Sequence, residues 1–117
     1  MDQLRRILIV EDEPLIAMML EDFLDAIDRE LAGSADTVAT AIAAIDRGGV
    51  DAAIVDVHLC GGEKSWPVCE RLAERGIPFL LATGGAGDMI DEAWRDRPVL
   101  AKPFTLDAVE KALDRLA

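Results

Sequence analysis

The stretch Ala52-Ala53-Ile54-Val55-Asp56-Val57-His58 decides the fold, because four apolar residues in a row run straight into a carboxylate. Gly48-Gly49 and Gly61-Gly62 bound it, and a short apolar run between turn signals is the pattern of a strand buried on both faces. A buried acid is costly without a partner. At the carboxyl end of such a strand, however, Asp56 stands on the rim of an open parallel sheet, where ligand sites of that architecture form. Asp56 is therefore the first candidate for a working nucleophile.

Outward from this strand the chain alternates. Ile7-Leu8-Ile9-Val10 is a second buried-strand run, and it too ends in acids, Glu11-Asp12-Glu13. Pro14 suits the first turn of a helix, and Leu15, Ile16, Met19, Leu20, Phe23, Leu24 and Ile27 follow at helical spacing with acids on the wet side. Gly33-Ser34-Ala35 is expected to supply a short second strand. Ala39, Ile42, Ala43 and Ile45 suit a short helix closing at Gly48-Gly49. After Gly61-Gly62, Ser65 is expected to cap a helix carrying Trp66, Val68, Cys69 and Leu72 and ending at Gly76. Pro78 to Thr83 reads as a fourth strand that ends in a hydroxyl. Gly84-Gly85-Ala86-Gly87 then forms a loop, and a short, mostly polar helix is expected from about Asp88 to Asp96. Val99-Leu100-Ala101 is a brief fifth strand ending at Lys102-Pro103, and Thr105 caps a last helix. Five strands alternating with five helices imply an α/β, doubly wound parallel sheet covered on both faces.

At 117 residues the chain has the size of one domain. No apolar run approaches the roughly 18 residues that span a bilayer, and the N-terminus lacks a signal-peptide layout, so a cytoplasmic protein without membrane contact is expected. Twelve basic against 23 acidic residues leave a formal net charge of -11, which argues against binding nucleic acid. Cys60 and Cys69 match no metal-ligand spacing and are read as reduced thiols.

The strand ends carry the chemistry. They deliver Glu11-Asp12, Asp56, Thr83 and Lys102 to one edge. Three carboxylates in one site repel each other unless a cation neutralises them. Magnesium is the expected cation, since it takes a few carboxylate oxygens and leaves room for a phosphate oxygen. A carboxylate can act as nucleophile and form an aspartyl phosphate. Lys102 would then neutralise charge during transfer, and Thr83 would donate a hydrogen bond to the phosphoryl group.

With these residues in place, the whole chain resembles a two-component response-regulator receiver domain. Glu11-Asp12, Asp56, Thr83 and Lys102-Pro103-Phe104, in that order, carry the likeness. It implies a flavodoxin-like sheet of order 2-1-3-4-5 and one receiver domain over residues 1–117 with no output domain. It also implies a phosphoacceptor, not an enzyme, whose Asp56 takes a phosphoryl group from a histidine kinase or a histidine phosphotransfer protein. Asp12 and Asp56 would bind Mg2+ directly, Glu11 through water and His58 through its backbone carbonyl, and the Lys102-Pro103 bond would be cis. The first helix of receivers meets the histidine-bearing partner. The signal would pass by protein contact to a downstream protein of unknown identity, from a monomer or weak dimer.

Pro78-Phe79-Leu80-Leu81-Ala82-Thr83-Gly84-Gly85 is similar to the Phe-Ala-Thr-Gly signature of the FAT GUY group of single-domain receivers, with Leu81 where the signature has phenylalanine. Ordinary receivers carry an aromatic residue three before the lysine, and here that residue is Val99. The usual threonine-to-aromatic switch is therefore not expected. Thr83, Gly84, Gly85, Lys102 and Pro103 are the expected switch instead. Trp66 and Trp94 read as packing residues. The alternatives are a phosphate sink or shuttle, a pseudo-receiver that binds without phosphorylation, and an aspartate-nucleophile phosphatase. The last needs an acid two residues after its nucleophile, where this chain has His58.

Overall fold

The computed structural model describes residues 4–84 and 90–116. Five strands, β1 (Arg6–Val10), β2 (Glu30–Ala35), β3 (Ala52–Asp56), β4 (Phe79–Thr83) and β5 (Val99–Ala101), form one sheet. All its pairings are parallel, in the order β2-β1-β3-β4-β5. Four α-helices accompany it among the described residues: α1 (Pro14–Ala26), α2 (Val38–Arg47), α3 (Trp66–Glu74) and α4 (Leu106–Leu116).

Successive strand residues point to opposite faces, so each central strand feeds two cores. Leu8, Val10, Val55, Phe79 and Leu81 pack with Ala41 and Ile45 of α2 and Val68 and Leu72 of α3. Ile7, Ile9, Ile54, Leu80 and Leu100 pack with Leu20 and Leu24 of α1 and Val109 and Leu113 of α4. Both faces of β1, β3 and β4 are thereby dry, which is why their sequences read as unbroken apolar runs and not as alternation. Each fully buried large aliphatic side chain contributes about 1.5–3 kcal/mol.

Five helices were expected, and the described residues hold four. Where a helix was expected from about Asp88 to Asp96, the described part, from Ile90 on, holds only a 3-10 turn, Glu92–Trp94. Asp91 turns its carboxylate onto its own backbone, accepting from Ala93 N at 3.1 Å, and Pro98 disfavours helical geometry just before it. The segment is held by aromatic packing instead. Trp94 lies edge-on to Phe79 with ring centroids 5.7 Å apart, and the Arg97 guanidinium sits 4.6 Å from the Phe79 centroid. Trp66 and Trp94 both pack against the core, in keeping with their reading as packing residues.

Helix starts differ in their caps. Thr37 and Thr40 form a reciprocal capping box on α2, and Thr105 Oγ1 accepts from Ala108 N at 3.1 Å on α4. Ser65 stands at the N-cap of α3 with no side-chain cap bond, which corrects the role expected of it. Its backbone there is not extended as a capping residue's would be, and the hydroxyl is buried.

Candidate functional site

Parallel pairing brings the carboxyl ends of the strands to one edge. Val10 pairs with Val55, Asp56 with Ala82, and Thr83 with Ala101. The residues that end β1, β3, β4 and β5 therefore meet, and the apolar runs stop there because the sheet does. Glu11, Asp12 and Asp56 each place a carboxylate oxygen within 4.8 Å of the other two. Lys102 enters from the end of β5, donating to Asp56 Oδ2 at 3.2 Å and pairing with Glu11 Oε1 at 3.1 Å. Glu11 Oε2 accepts from Glu13 N at 3.1 Å.

The site is short of positive charge. Glu11 is 3% exposed and Asp56 6%. Burial, reinforced by the neighbouring Asp56, pushes Glu11 up to about 7. Burial also raises Asp56, and Lys102 offsets only part of that. Burial works to lower Lys102, but the Asp56 and Glu11 carboxylates outweigh it and leave the ammonium raised. One ammonium thus faces three carboxylates. Glu11 Oε1 is buried and, although near Lys102, makes no hydrogen bond of proper geometry. A cluster of hard oxygen donors with an unsatisfied buried oxygen fits a divalent cation such as Mg2+, and offers nothing a soft metal prefers.

Asp12, Glu13, Asp56, His58, Gly84 and Lys102 line an open cleft of about 380 Å3. Glu11 lies buried beside it. Thr83 is nearly buried and is not among the lining residues; its carbonyl accepts from Lys102 N at 2.9 Å, tying the two strand ends together. The Lys102-Pro103 bond is cis, and Pro103 lines a neighbouring apolar hollow with Ile16, Met19 and Phe104. Gly85 lies outside the described residues. Two residues escaped the sequence reading. Glu13 holds Glu11 through its backbone N–H, and acid following acid was the available signal. Lys64 reaches His58, its Nζ 3.0 Å from His58 Nε2, and nothing in the sequence foretold it.

No protein-family model matches the chain. It is similar to SdrG from Sphingomonas melonis Fr1, whose solution structure it matches at 63% identity and TM-score 0.90, covering 99% of this chain and 98% of that one. The BeF3-activated conformation of SdrG matches at TM-score 0.85 with the same coverage. The receiver domain of the PhyR response regulator from Erythrobacter litoralis matches at 26% identity and TM-score 0.80, covering 97% of this chain and 90% of that one. The transcriptional regulatory protein TcrA of Mycobacterium tuberculosis is 38% identical over 96% of this chain. The chain spans about half the length of that curated relative, 46%.

Proposed function

Since the chain belongs to the receiver-domain family of two-component response regulators, we propose that it is a phosphoacceptor whose Asp56 carries the phosphoryl group. The observation that carries this reading is the Glu11, Asp12 and Asp56 cluster within 4.8 Å, with the Lys102 ammonium on two of its members. In the transfer, an Asp56 carboxylate oxygen forms the new P–O bond as the bond from phosphorus to the donor imidazole nitrogen breaks. The donor is a histidine kinase or a histidine phosphotransfer protein. Asp12 and Asp56 would hold Mg2+ directly, with Glu11 acting through water and His58 through its carbonyl. Bound there, the ion supplies neutralisation of phosphoryl charge. Lys102 holds Asp56 in place before transfer and afterwards faces the added negative charge. Its backbone bond to the Thr83 carbonyl gives any shift of Lys102 a route to β4 and Gly84. Thr83, Gly84, Lys102 and Pro103, with Gly85, form the proposed switch. BeF3 mimics a phosphoryl group, and an activated form of SdrG with it supports this reading for its relative.

The signal leaves by protein contact. The phosphoryl group would arrive by protein contact too: Leu15 and Met18 are exposed on α1, and Glu21, Asp22 and Asp25 continue that helix, giving the histidine-bearing donor an apolar and acidic surface. No helix among the described residues is long and apolar enough to cross a membrane, and the net charge of -11 disfavours anionic surfaces. A cytoplasmic setting follows as part of the proposal.

Intact mass after incubation with Mg2+ and acetyl phosphate tests the reading. Wild type should gain about one phosphoryl mass, and Asp56→Asn or removal of Mg2+ should abolish the gain. No gain with acetyl phosphate or with a kinase and ATP would leave a binding module without phosphorylation.

A further inference from the structure

The two edges of the sheet are built differently. β2 closes one side with the charged Glu30 and with a register shift against β1 between Ile7 and Leu8, and both discourage a further strand from adding. β5 closes the other side with Val99-Leu100-Ala101, which no charge, proline or register shift interrupts. It meets β4 through the Pro98 carbonyl, which accepts from Leu81 N at 2.9 Å, and through Lys102 N, which donates to the Thr83 carbonyl at 2.9 Å. Bonding groups alternate between the two sides of a strand, so the N–H and C=O of Val99 and Ala101 turn to the free edge. Val99 is 42% exposed, whereas Leu100 between them is 4% exposed.

A hollow of about 440 Å3 lies between this edge and α4. Leu100, Phe104 and Ala112 are its buried apolar wall, and the small Ala108 and Ala112 leave space on the helix side. The rest of the wall is charged. Lys111 and Arg115, the two cations of α4, line it together with a single acid, Asp107. Lys111 pairs with Asp107 at 3.1 Å, and Arg115 makes no ion pair among the described residues. The hollow is therefore positive in a chain of net charge -11, and it attracts an acidic segment and repels a basic one.

We propose that the groove between β5 and α4 takes an extended, acidic segment of the downstream protein, which adds a strand to the free edge of β5 and sets its carboxylates against Arg115 and Lys111. Main-chain bonds to Val99 and Ala101 hold the segment, and the charges select it. This mode of contact rests on the proposed passage of the signal between proteins, but the groove needs no phosphoryl group, so the two readings fail in separate experiments.

Selection of short displayed peptides from a random library on the intact protein, followed by amide hydrogen exchange with the best synthetic binder, is the test. Enriched sequences should alternate apolar and acidic residues, and the binder should protect the Val99 and Ala101 amides. Val99→Pro removes the outward N–H without touching a bond to β4, and should weaken the binder about fivefold, the scale of one hydrogen bond. Val99→Ala keeps that N–H and should bind more tightly than Val99→Pro. Arg115→Gln, at an exposed helix position, should weaken binding about two- to fivefold and reduce its salt dependence. Basic binders, no enrichment, or equal affinity of Val99→Pro and Val99→Ala would overturn the proposal. So would protection of Val99 and Ala101 that rises with protein concentration in the absence of peptide, which would put a second copy in the groove. A wild type that takes up no phosphoryl group yet binds acidic peptides in this way would overturn the phosphoacceptor reading and still support the groove.

Discussion

Glu11 concentrates the electrostatic problem of this site in one side chain. It is buried beside Asp56, and its carboxyl is pushed up to about 7 from an ordinary value of 4.5. A carboxyl whose pKa is higher folded than unfolded binds its proton more tightly in the native state. Its contribution to stability is complete below about 4.5 and is lost as pH rises through about 7. Denaturant unfolding in chelator should therefore show the protein losing stability between pH 4.5 and about pH 7, the window between the two values. A flat or rising profile there would contradict the assignment. The two cysteines offer a separate test at this scale. Burial pushes the Cys69 thiol up to about 12, and Cys60 is exposed. One thiol should react readily with a colorimetric disulfide reagent in the native protein and two in denaturant. Glu11, Asp12, Asp56 and Lys102 were legible in the sequence because each follows an apolar strand directly, so the strand's end located the group. Lys64 was not, since its approach to His58 depends on a loop reversal six residues long that only the backbone reveals.

The elements repeat that contrast. β1, β3 and β4 and helices α1 and α4 were readable because burial imposes a period on them, two faces for a central strand and one stripe for a covering helix. β2, whose residues are mostly exposed or half-buried, has the weakest pattern and starts earlier than its sequence suggests. The described segment from Ile90 on misled for a local reason. Asp91 and Pro98 oppose helix at either side of a segment with few apolar residues, and the packing of Trp94 and Arg97 on Phe79 holds it without one. At the start of α2 the Thr37–Thr40 capping box went unread because threonine replaces the usual acid or amide partner. Thr37→Ala should remove it and cost about 1 kcal/mol in denaturant midpoint analysis, with unchanged slope. No loss would mean that Glu63, which accepts from Val38 N, satisfies the helix start unaided.

For the whole molecule, the parallel order β2-β1-β3-β4-β5 gathers the carboxyl ends of four strands into one rim. Fold and site are thus one fact, since a sheet that buries both faces must put its polar ends on its edges. Asp12, after β1, and Asp56, which ends β3, would hold the proposed divalent ion together, and its binding energy would then be expressed as global stability. Mg2+ at about a hundred times its dissociation constant should stabilise cooperative unfolding by about 2.7 kcal/mol, with the increment lost in Asp12→Ala. An equal increment in that variant would place the ion elsewhere. What the sequence could not disclose at this scale is the partner, whose surface is written in another chain.

The carboxylate that ends β3, Asp56, is the proposed phosphoryl acceptor. Borohydride reduces an acyl phosphate to the alcohol, so peptide mapping after phosphorylation in Mg2+ and reduction reads the site directly. Conversion of Asp56, and of no other acid, to homoserine is the expected result. Conversion at Asp12, Glu11 or any other residue, or none in protein that has gained a phosphoryl mass, would contradict it.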